Sequence, residues 1–252
     1  MSEDDKPAQW ARGVKGEIDQ RPKRFYKFVE TTGGESGFGV TLDGRPLRTP
    51  AGAPLRLPTE ALAEVVAEEW RTQEERIDLL GMFATRLANV AIDRTPPNRA
   101  EMVEEIARYA GTDAICYPAE FPASLRERQD EVWGALRAWS AEALGVRLLP
   151  AAGLSAHPQP QESLDAVKAH AAALDDFALS GLAMAAGLYG SAVLALAVVK
   201  DRISAVDAYE ASRIEEAFQQ AQWGVDAEAE ALTARRRNDA AGLDRWFGAL
   251  KA

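Results

Sequence analysis

The sequence predicts an α+β fold, with a small antiparallel β-rich N-terminal domain followed by a larger all-helical C-terminal domain. Residues 24–58 are rich in turn residues and β-formers, with an Asp-Gly pair between short segments of strand character. From Pro58 onwards, apolar residues recur at spacings of three and four, in segments separated by Gly or Pro. We therefore predict a flexible lead-in at residues 1–23, a β-rich domain at 24–58 and a helical domain at 59–252.

Hairpins make up the predicted sheet. The segments "RFYKFVE" and "FGVTL" are the first two candidate strands, and the glycine-rich "TTGGESG" joins them. Asp43 and Gly44 form the pair that a tight hairpin turn prefers, and a further hairpin is expected about Ala51 and Gly52. The glycines of this region match neither G-x-G-x-x-G before a helix nor a loop that ends in Gly-Lys-Ser/Thr, so they indicate turns and no nucleotide loop.

The first helix is predicted to begin after Thr59, which can cap it, because Leu62, Val65, Val66 and Trp70 follow at helical spacing. Gly and Pro signals divide the rest of the chain into further helices. These are expected near residues 82–93, 98–111, 122–144, 161–174, 179–199, 204–223 and 226–250. The segment "LPAAGLSAHPQPQ" at residues 149–161 is a possible boundary between two helical subregions.

Residues 177–199 contain no charged side chain and are long enough to be weighed as a membrane span. Their content is mostly Ala and Gly, which makes the segment only weakly hydrophobic. Small residues at every fourth position, from Ala183 to Ala195, leave a flat strip against which another helix can pack. We expect a central buried helix, broken near Gly187 or Gly190, and no integral membrane contact.

Composition narrows the class of partner and the compartment. The formal net charge of -10 argues against nucleic acid or an anionic membrane as the main partner, because both require clustered positive charge. The basic run "ARRRN" at residues 234–238 is interpreted as a solvated helix face. The single cysteine, Cys116, and the lack of an apolar secretory core near the N-terminus predict an intracellular protein.

No motif for catalysis, a metal or a cofactor is recognisable, so the sequence predicts a protein that is not an enzyme. The two histidines, His157 and His170, lack zinc-site spacing, and Cys116 has no local base signature and is expected to be structural. The alternative is a small-molecule hydrolase that uses carboxylates, since acidic side chains are numerous. The candidates for that chemistry are Glu68, Glu69, Asp93, Asp113 and Glu216.

The segment "RIEEAFQQAQWG" at residues 213–224 carries the candidate binding surface. On a helix, Ile214, Ala217, Phe218 and Ala221 share the side expected to be buried. A second stripe, spaced by four, three, four and three residues, joins Tyr209, Arg213, Glu216, Gln220 and Trp223.

Glu215 points away from Glu216 by about 100 degrees, so the two do not form a chelating or acid–base pair. The second stripe has the aromatic and Arg anchors that are typical of protein interfaces. The alternative is an Arg213–Glu216 ion pair that bridges to another helix of the same domain.

Seven motifs in order resemble the chaperone family of the ATP synthase α subunit, also called assembly factor two. They are "RFYKFVE", "VTLDGRPLRTPAGAPLRLPT", "AEEW", "TRLANVAIDR", "YAGTDAICY", "RQDEVWGALRAW" and "RIEEAFQQAQWG", which together cover residues 24–224. The resemblance implies a non-catalytic chaperone, without a cofactor, that holds the free α subunit of the F-type catalytic head until the β subunit replaces it. A structural interaction protein with another partner remains the second alternative. The lack of a transit-peptide pattern and the Ala- and Arg-rich usage indicate a bacterial, cytoplasmic setting. The resemblance implies that eukaryotic relatives lie in the mitochondrial matrix, and we expect a monomer.

The resemblance also suggests which residues act. The family's acidic helix matches Glu215, Glu216, Gln219, Trp223 and Gly224, and its important glutamate maps to Glu216. Further positions that match the family, as structural or partner-binding residues, are Trp70, Arg86, Asp93, Asp113, Gln129 and Trp133. The two tryptophans of this second group are expected in the core, since large aromatic residues on apolar helix faces usually pack inside.

One segment departs from the family pattern. In "GMFATRLAN", where the family has Met-Pro-Leu-Thr, Phe83 and Ala84 stand at the two middle positions. The proline's fixed φ angle is therefore missing, and the conformation after Met82 is left open by the sequence.

Overall fold

The computed structural model describes residues 21–34, 37–151, 158–224 and 226–252. Within these residues a three-stranded antiparallel sheet precedes ten α-helices, which confirms the predicted α+β class. The predicted lead-in lies mostly outside the described residues, as does much of the possible boundary at residues 149–161.

The strands are β1 (Val29–Thr32), β2 (Gly39–Leu42) and β3 (Arg45–Pro46), in the order β1-β2-β3. Asp43 and Gly44 turn the chain between β2 and β3 with positive φ angles, as the Asp-Gly pair predicts. The second predicted hairpin is also present, because Arg48 bridges to Pro54 across a turn that contains Ala51 and Gly52. The strand predicted over "RFYKFVE" is wrong at its start: β1 begins at Val29, and Phe25 and Phe28 are exposed.

The first helix, α1 (Glu60–Arg71), packs against β1 and β2 and joins the sheet to the helices. The hydroxyl of Thr59 accepts a hydrogen bond from the Leu62 amide at 3.1 Å, which confirms the predicted N-cap. Leu62, Val66 and Trp70 are buried, and the Tyr26 ring packs edge-on against Trp70 and donates its hydroxyl to the Trp70 carbonyl at 2.7 Å. The buried residues form one cluster that runs from the sheet into the helices, and a domain division at Pro58 stays a prediction.

Nine more helices follow in the described residues, with 3-10 turns at Leu79–Gly81 and Ala114–Cys116. The helices are α2 (Phe83–Asp93), α3 (Thr95–Gly111), α4 (Ala123–Leu144), α5 (Gln161–Ala172), α6 (Asp176–Tyr189), α7 (Ala192–Val199), α8 (Ala205–Ser212), α9 (Ile214–Trp223) and α10 (Ala227–Leu250).

The apolar segment at residues 177–199 forms the centre of the helical layer. It breaks at Gly190, which adopts a left-handed conformation with φ of 64°, and the Ser191 hydroxyl caps α7 by accepting from the Leu194 amide at 3.0 Å. All of α7 from Ala192 to Val198 is buried. This confirms a broken, buried helix. In the described part of the chain, every helix is too short or too polar to cross a bilayer.

The prediction of one helix over residues 204–223 is wrong, because the chain forms α8 and α9 with a break at Arg213. The Ser212 hydroxyl donates to the Tyr209 carbonyl at 2.7 Å, and the Arg213 amide bonds three residues back to the Glu210 carbonyl at 3.2 Å. Ser side chains compete for helix carbonyls in this way and end helices where no Gly or Pro marks the site.

Candidate functional site

Helix α9 lies on the surface against α4 and contributes little to the core. Ile214 is its one buried side chain among the described residues, and Phe218 is half-buried against the core cluster. From Glu215 to Asp239, no residue that the structure describes is buried. Ala217 and Ala221, which the helical pattern places on the buried side, are both exposed, so that prediction is wrong for these two residues. The sequence of this stretch is therefore weakly constrained by packing.

The two glutamates of α9 differ in their surroundings. Both lie in the first turn, where a negative charge interacts favourably with the helix dipole. Glu215 is half-buried and accepts a hydrogen bond from the Gln219 amide at 3.2 Å. Glu216 is exposed, and its carboxylate has no hydrogen bond or ion pair with any other residue that the structure describes. Its charge is available to a partner.

The Arg213 side chain does not pair with Glu216. Its guanidinium carbon lies 5.4 Å from the centroid of the Tyr209 ring, in a cation–π contact. Among the described ion pairs, none joins Arg213 to Glu216, so the alternative of a structural ion pair between them is wrong.

The break between α8 and α9 also interrupts the predicted second stripe. Tyr209 lies in α8, is 1% exposed and donates its hydroxyl to the Thr233 carbonyl of α10 at 3.3 Å, so it is a core residue in this conformation. The prediction that it shares an exposed stripe with Glu216 is therefore wrong. Gln219 is exposed, Gln220 is half-buried, and Trp223 is 76% exposed at the end of α9. The remaining candidates form a surface, the α9 face, that consists of Glu216, Gln219, Gln220 and Trp223.

Two of the matched family residues lie in α4, the helix against which α9 packs. Trp133 in α4 is buried and donates its indole N–H to the Ala211 carbonyl at 2.8 Å, which fixes the end of α8 immediately before α9. Gln129, one turn earlier in α4, is fully buried and accepts a hydrogen bond from the Ala119 amide at 2.6 Å. The Trp133 contact joins α4 to α8 just before the break that starts α9, and the Gln129 contact ties α4 to the segment that precedes it.

Three other matched residues lie in or near α1 and α2, away from α9. Trp70 packs under the sheet against Tyr26. The Asp93 carboxylate accepts from the Thr49 hydroxyl at 2.7 Å and from the Ala51 amide at 3.1 Å, so it fastens the second hairpin to α2. Arg86 forms an ion pair of 3.6 Å with Asp239 of α10. These contacts give each residue a structural role.

Asp113 is fully buried and organises the centre of the helical layer. Its carboxylate accepts hydrogen bonds from the Ile115 amide at 3.3 Å and from the Val193 amide of α7 at 3.1 Å. Burial raises the pKa of Asp113 to about 6, although hydrogen bonds from Ser191 and backbone amides oppose that rise. Burial likewise raises the pKa of the Cys116 thiol to about 12, which leaves it protonated and unreactive at neutral pH.

The carboxylates considered for hydrolysis are divided among α1, α2, α9 and the 3-10 turn after α3, and all but Glu216 have partners within the chain. Glu68 pairs with Arg71 at 3.5 Å, Asp93 and Asp113 accept backbone hydrogen bonds, and Glu216 lies on α9. In the residues that the structure describes, no three acidic, His or Cys side chains gather as a metal site would require.

The role of Glu69 is not apparent from the sequence. From α1, its carboxylate accepts from the Ala84 amide at 2.7 Å and from the Thr85 amide and hydroxyl, both at 2.8 Å, and burial raises its pKa. It therefore caps α2, whose own N-cap residue, Met82, has no side-chain hydrogen bond. This contact defines the conformation after Met82 that the missing proline leaves open.

Comparisons with known proteins agree with this architecture. Residues 23–141 match the model of the ATP12 chaperone protein family. The crystal structure of Atp12 from Paracoccus denitrificans is 41% identical, covers 91% of this chain and 98% of its own, and superposes with a TM-score of 0.84. A candidate chaperone from Agrobacterium tumefaciens is 34% identical, covers 91% of this chain and 86% of its own, and has a TM-score of 0.86.

A curated relative comes from a eukaryote. The mitochondrial protein atp12 of Schizosaccharomyces pombe is 26% identical over 214 residues, which are 80% of this chain and 74% of that protein. The similarity to the bacterial structures extends over 91% of the chain, at 41% and 34% identity and with TM-scores of 0.84 and 0.86. The chain therefore belongs to the ATP12 family of chaperones.

Proposed function

We propose that this chain binds the free α subunit of the F-type ATP synthase catalytic head through the α9 face, and prevents its aggregation until the β subunit takes its place. The observation that carries the proposal is the unpaired, exposed carboxylate of Glu216 on a helix with one buried residue. Packing within the chain does not account for the exposed polar and aromatic side chains of α9, whereas binding to a partner does. Membership of the ATP12 family supports assembly of ATP synthase as the setting.

The chemistry of the α9 face suits a protein partner. Trp223 offers a large exposed aromatic surface, and such residues supply much of the binding energy at interfaces. The side-chain amides of Gln219 and Gln220 can both donate and accept hydrogen bonds, which fixes the orientation of a bound surface. Glu216 adds a charge that requires a cationic or N–H donor on the partner.

This mixture also suits release. A wholly apolar interface tends toward a permanent complex, whereas a small polar one can exchange. Binding at α9 would cover apolar surface on the α subunit that otherwise aggregates, and the β subunit would compete for that surface. The cycle needs no bond to be made or broken, so the proposed chaperone is not an enzyme. In a bacterium, we propose that it acts in the cytoplasm as a monomer.

The test is co-purification of this chain with freshly expressed α subunit, alone and with excess β subunit. The native chain is compared with Glu216→Lys and with a matched control, Glu101→Lys, which reverses the charge of an exposed glutamate on α3. We expect the native chain and the control to keep the α subunit in solution and to release it to the β subunit. Glu216→Lys is expected to lose capture while its thermal unfolding stays nearly unchanged, because the side chain is exposed.

Three outcomes would contradict the proposal. If the folded native chain does not retain the α subunit, the client is a different protein. If Glu101→Lys lowers capture as much as Glu216→Lys does, then the net charge of the chain governs binding, and the α9 face is not the site. Equal loss of capture and of thermal stability in Glu216→Lys would assign this residue to the fold.

A further inference from the structure

A groove on another part of the molecule has a basic lining that neither the fold nor the α9 face accounts for. It lies between the 3-10 turn at Leu79–Gly81, the start of α2 and the side of α10, and its volume is about 640 Å³. We call it the arginine groove. The side chains that matter here are Arg86, Arg235, Asn238 and Arg245, with Leu80 and Phe83 as its apolar wall.

The basic groups follow one stripe of α10. Arg235, Asn238, Ala241 and Arg245 are spaced by three, three and four residues, so they lie on the same side of the helix. At about 1.5 Å of rise per residue, the Cα atoms of the two arginines are about 15 Å apart along the helix axis. The groove therefore runs along about 15 Å of α10, and its two arginines branch from the helix near either end of that length.

Two acidic side chains, Asp78 and Asp239, are part of the groove lining, and the acidic groups at the groove already have partners. Asp239 pairs with Arg86 at 3.6 Å, Asp78 pairs with Arg21 at 4.0 Å, and Glu69 accepts three hydrogen bonds at the start of α2. The guanidinium groups of Arg235 and Arg245 interact with Asp239 and Glu69 only through their charge. Neither donates a hydrogen bond to any residue in the described part of the chain. In a protein of net charge -10, these donors are available for an anionic ligand.

The length of the groove along α10 matches that of a short extended peptide. Residues i, i+2 and i+4 of a strand point to one side and span about 13 Å. Carboxylates at i and i+4 would then meet Arg235 and Arg245. A side chain at i+2 would meet Phe83 and Leu80, which is 81% exposed at the groove wall.

We infer that the arginine groove binds an extended acidic segment of a partner protein, with two carboxylates four residues apart and an apolar side chain midway between them. The arginines of the basic run at residues 234–238 then have different roles. Arg235 faces the groove, whereas Arg237 pairs with Glu210 at 2.9 Å. The inference does not require that the partner be the α subunit.

The test uses a fluorescein-labelled peptide, Glu-Ser-Leu-Ser-Glu with blocked ends, and measures its binding to the full chain by fluorescence anisotropy. We expect Arg235→Glu and Arg245→Glu each to weaken binding by about tenfold, the loss of one charge-assisted contact. The matched control is Arg236→Glu, an exposed arginine of the same helix that does not line the groove. This control and Glu216→Lys, which alters only the α9 face, should leave the affinity within twofold.

The result that overturns the inference is binding of the Gln-Ser-Leu-Ser-Gln peptide as tightly as the acidic one, or a loss in Arg236→Glu equal to that in Arg235→Glu. The chain's own acidic residues Glu3, Asp4 and Asp5 are tested by the variant Glu3→Gln/Asp4→Asn/Asp5→Asn. A rise of tenfold in its affinity for the peptide would identify the occupant as this chain's own N-terminal segment, and would overturn the assignment to a partner. Since the peptide assay contains no α subunit, its result is independent of the capture experiment.

Discussion

Phe83, where this chain departs from the family pattern, packs against Gly242 of α10, and this contact makes a sharp test of the core. A Cβ atom at position 242 would lie 2.5 Å from Cγ and 2.6 Å from Cδ1 of the Phe83 ring. Carbon atoms in contact normally lie about 3.5–4.0 Å apart, so Gly242→Ala must displace the ring or the helix by about 1 Å. Both residues are buried, which leaves little room for that movement.

The expected cost follows from two opposing effects. Overpacking of a core by one methyl group costs about 1–3 kcal/mol. Alanine is favoured over glycine inside a helix by about 1 kcal/mol, which offsets part of that cost. We therefore expect Gly242→Ala to lower the free energy of unfolding by up to about 2 kcal/mol, and by about 1–3 kcal/mol relative to a Gly→Ala change at an unhindered position of the same helix. For a chain of this size, the fall in Tm is up to about 8 °C.

The assay is urea unfolding followed by circular dichroism, with Gly248→Ala as the matched control. A Cβ atom at Gly248, in the same helix, would meet no atom within 4 Å, so this control should be neutral or slightly stabilising. Phe83→Leu removes the ring that clashes, and should cost less in the Gly242→Ala background than alone, with a coupling of about 1 kcal/mol. Additive costs, or a Gly242→Ala variant as stable as its control, would refute the close packing.

Two further predictions concern the interior. Trp133→Phe removes the hydrogen bond to the Ala211 carbonyl and part of a buried ring. We therefore expect urea unfolding to show a free energy of unfolding lower by about 2–4 kcal/mol. The control Trp223→Phe, at an exposed site, should change it by less than about 0.5 kcal/mol. Asp113 has a pKa raised to about 6 in the folded state, so its ionisation opposes folding as pH rises through the range from about 4 to 6. Relative to Asp113→Asn, the native chain should gain about 1 kcal/mol of stability when the pH falls from 7 to 5, and no gain would show that the buried carboxyl is ionised at both pH values.

Local signals in the sequence were sufficient to predict most of the helices, strands and turns. The Asp43-Gly44 turn, the Thr59 cap and the break at Gly190 each depend on the conformational preference of one or two residues and on the few residues next to them in sequence. The buried helices followed from apolar spacing, because that spacing is what a core selects. These features need no knowledge of the rest of the chain.

Features that depend on distant contacts were not predictable in the same way. The break at Arg213 has no Gly or Pro signal, and once the helix ends there, the stripe that includes Tyr209 no longer continues onto α9. Glu69 reaches α2 across 15 residues of sequence to cap it, and Asp113 caps α7 across 80. A pattern on one helix cannot show such contacts, because they are set by how the elements pack.

The α9 face and the arginine groove are formed by different helices. The α9 face lies on a helix that packs against α4, whereas the arginine groove is formed by the 3-10 turn at Leu79–Gly81, α2 and α10. The side chains to be substituted, Glu216 in one surface and Arg235 and Arg245 in the other, are exposed, so we expect their replacement to leave the fold in place. The α9 face carries an unpaired carboxylate and the groove carries guanidinium groups with free donors, so the two attract opposite charges. A partner that engages one surface leaves the other open, and a client held at both would be released only after both contacts are broken.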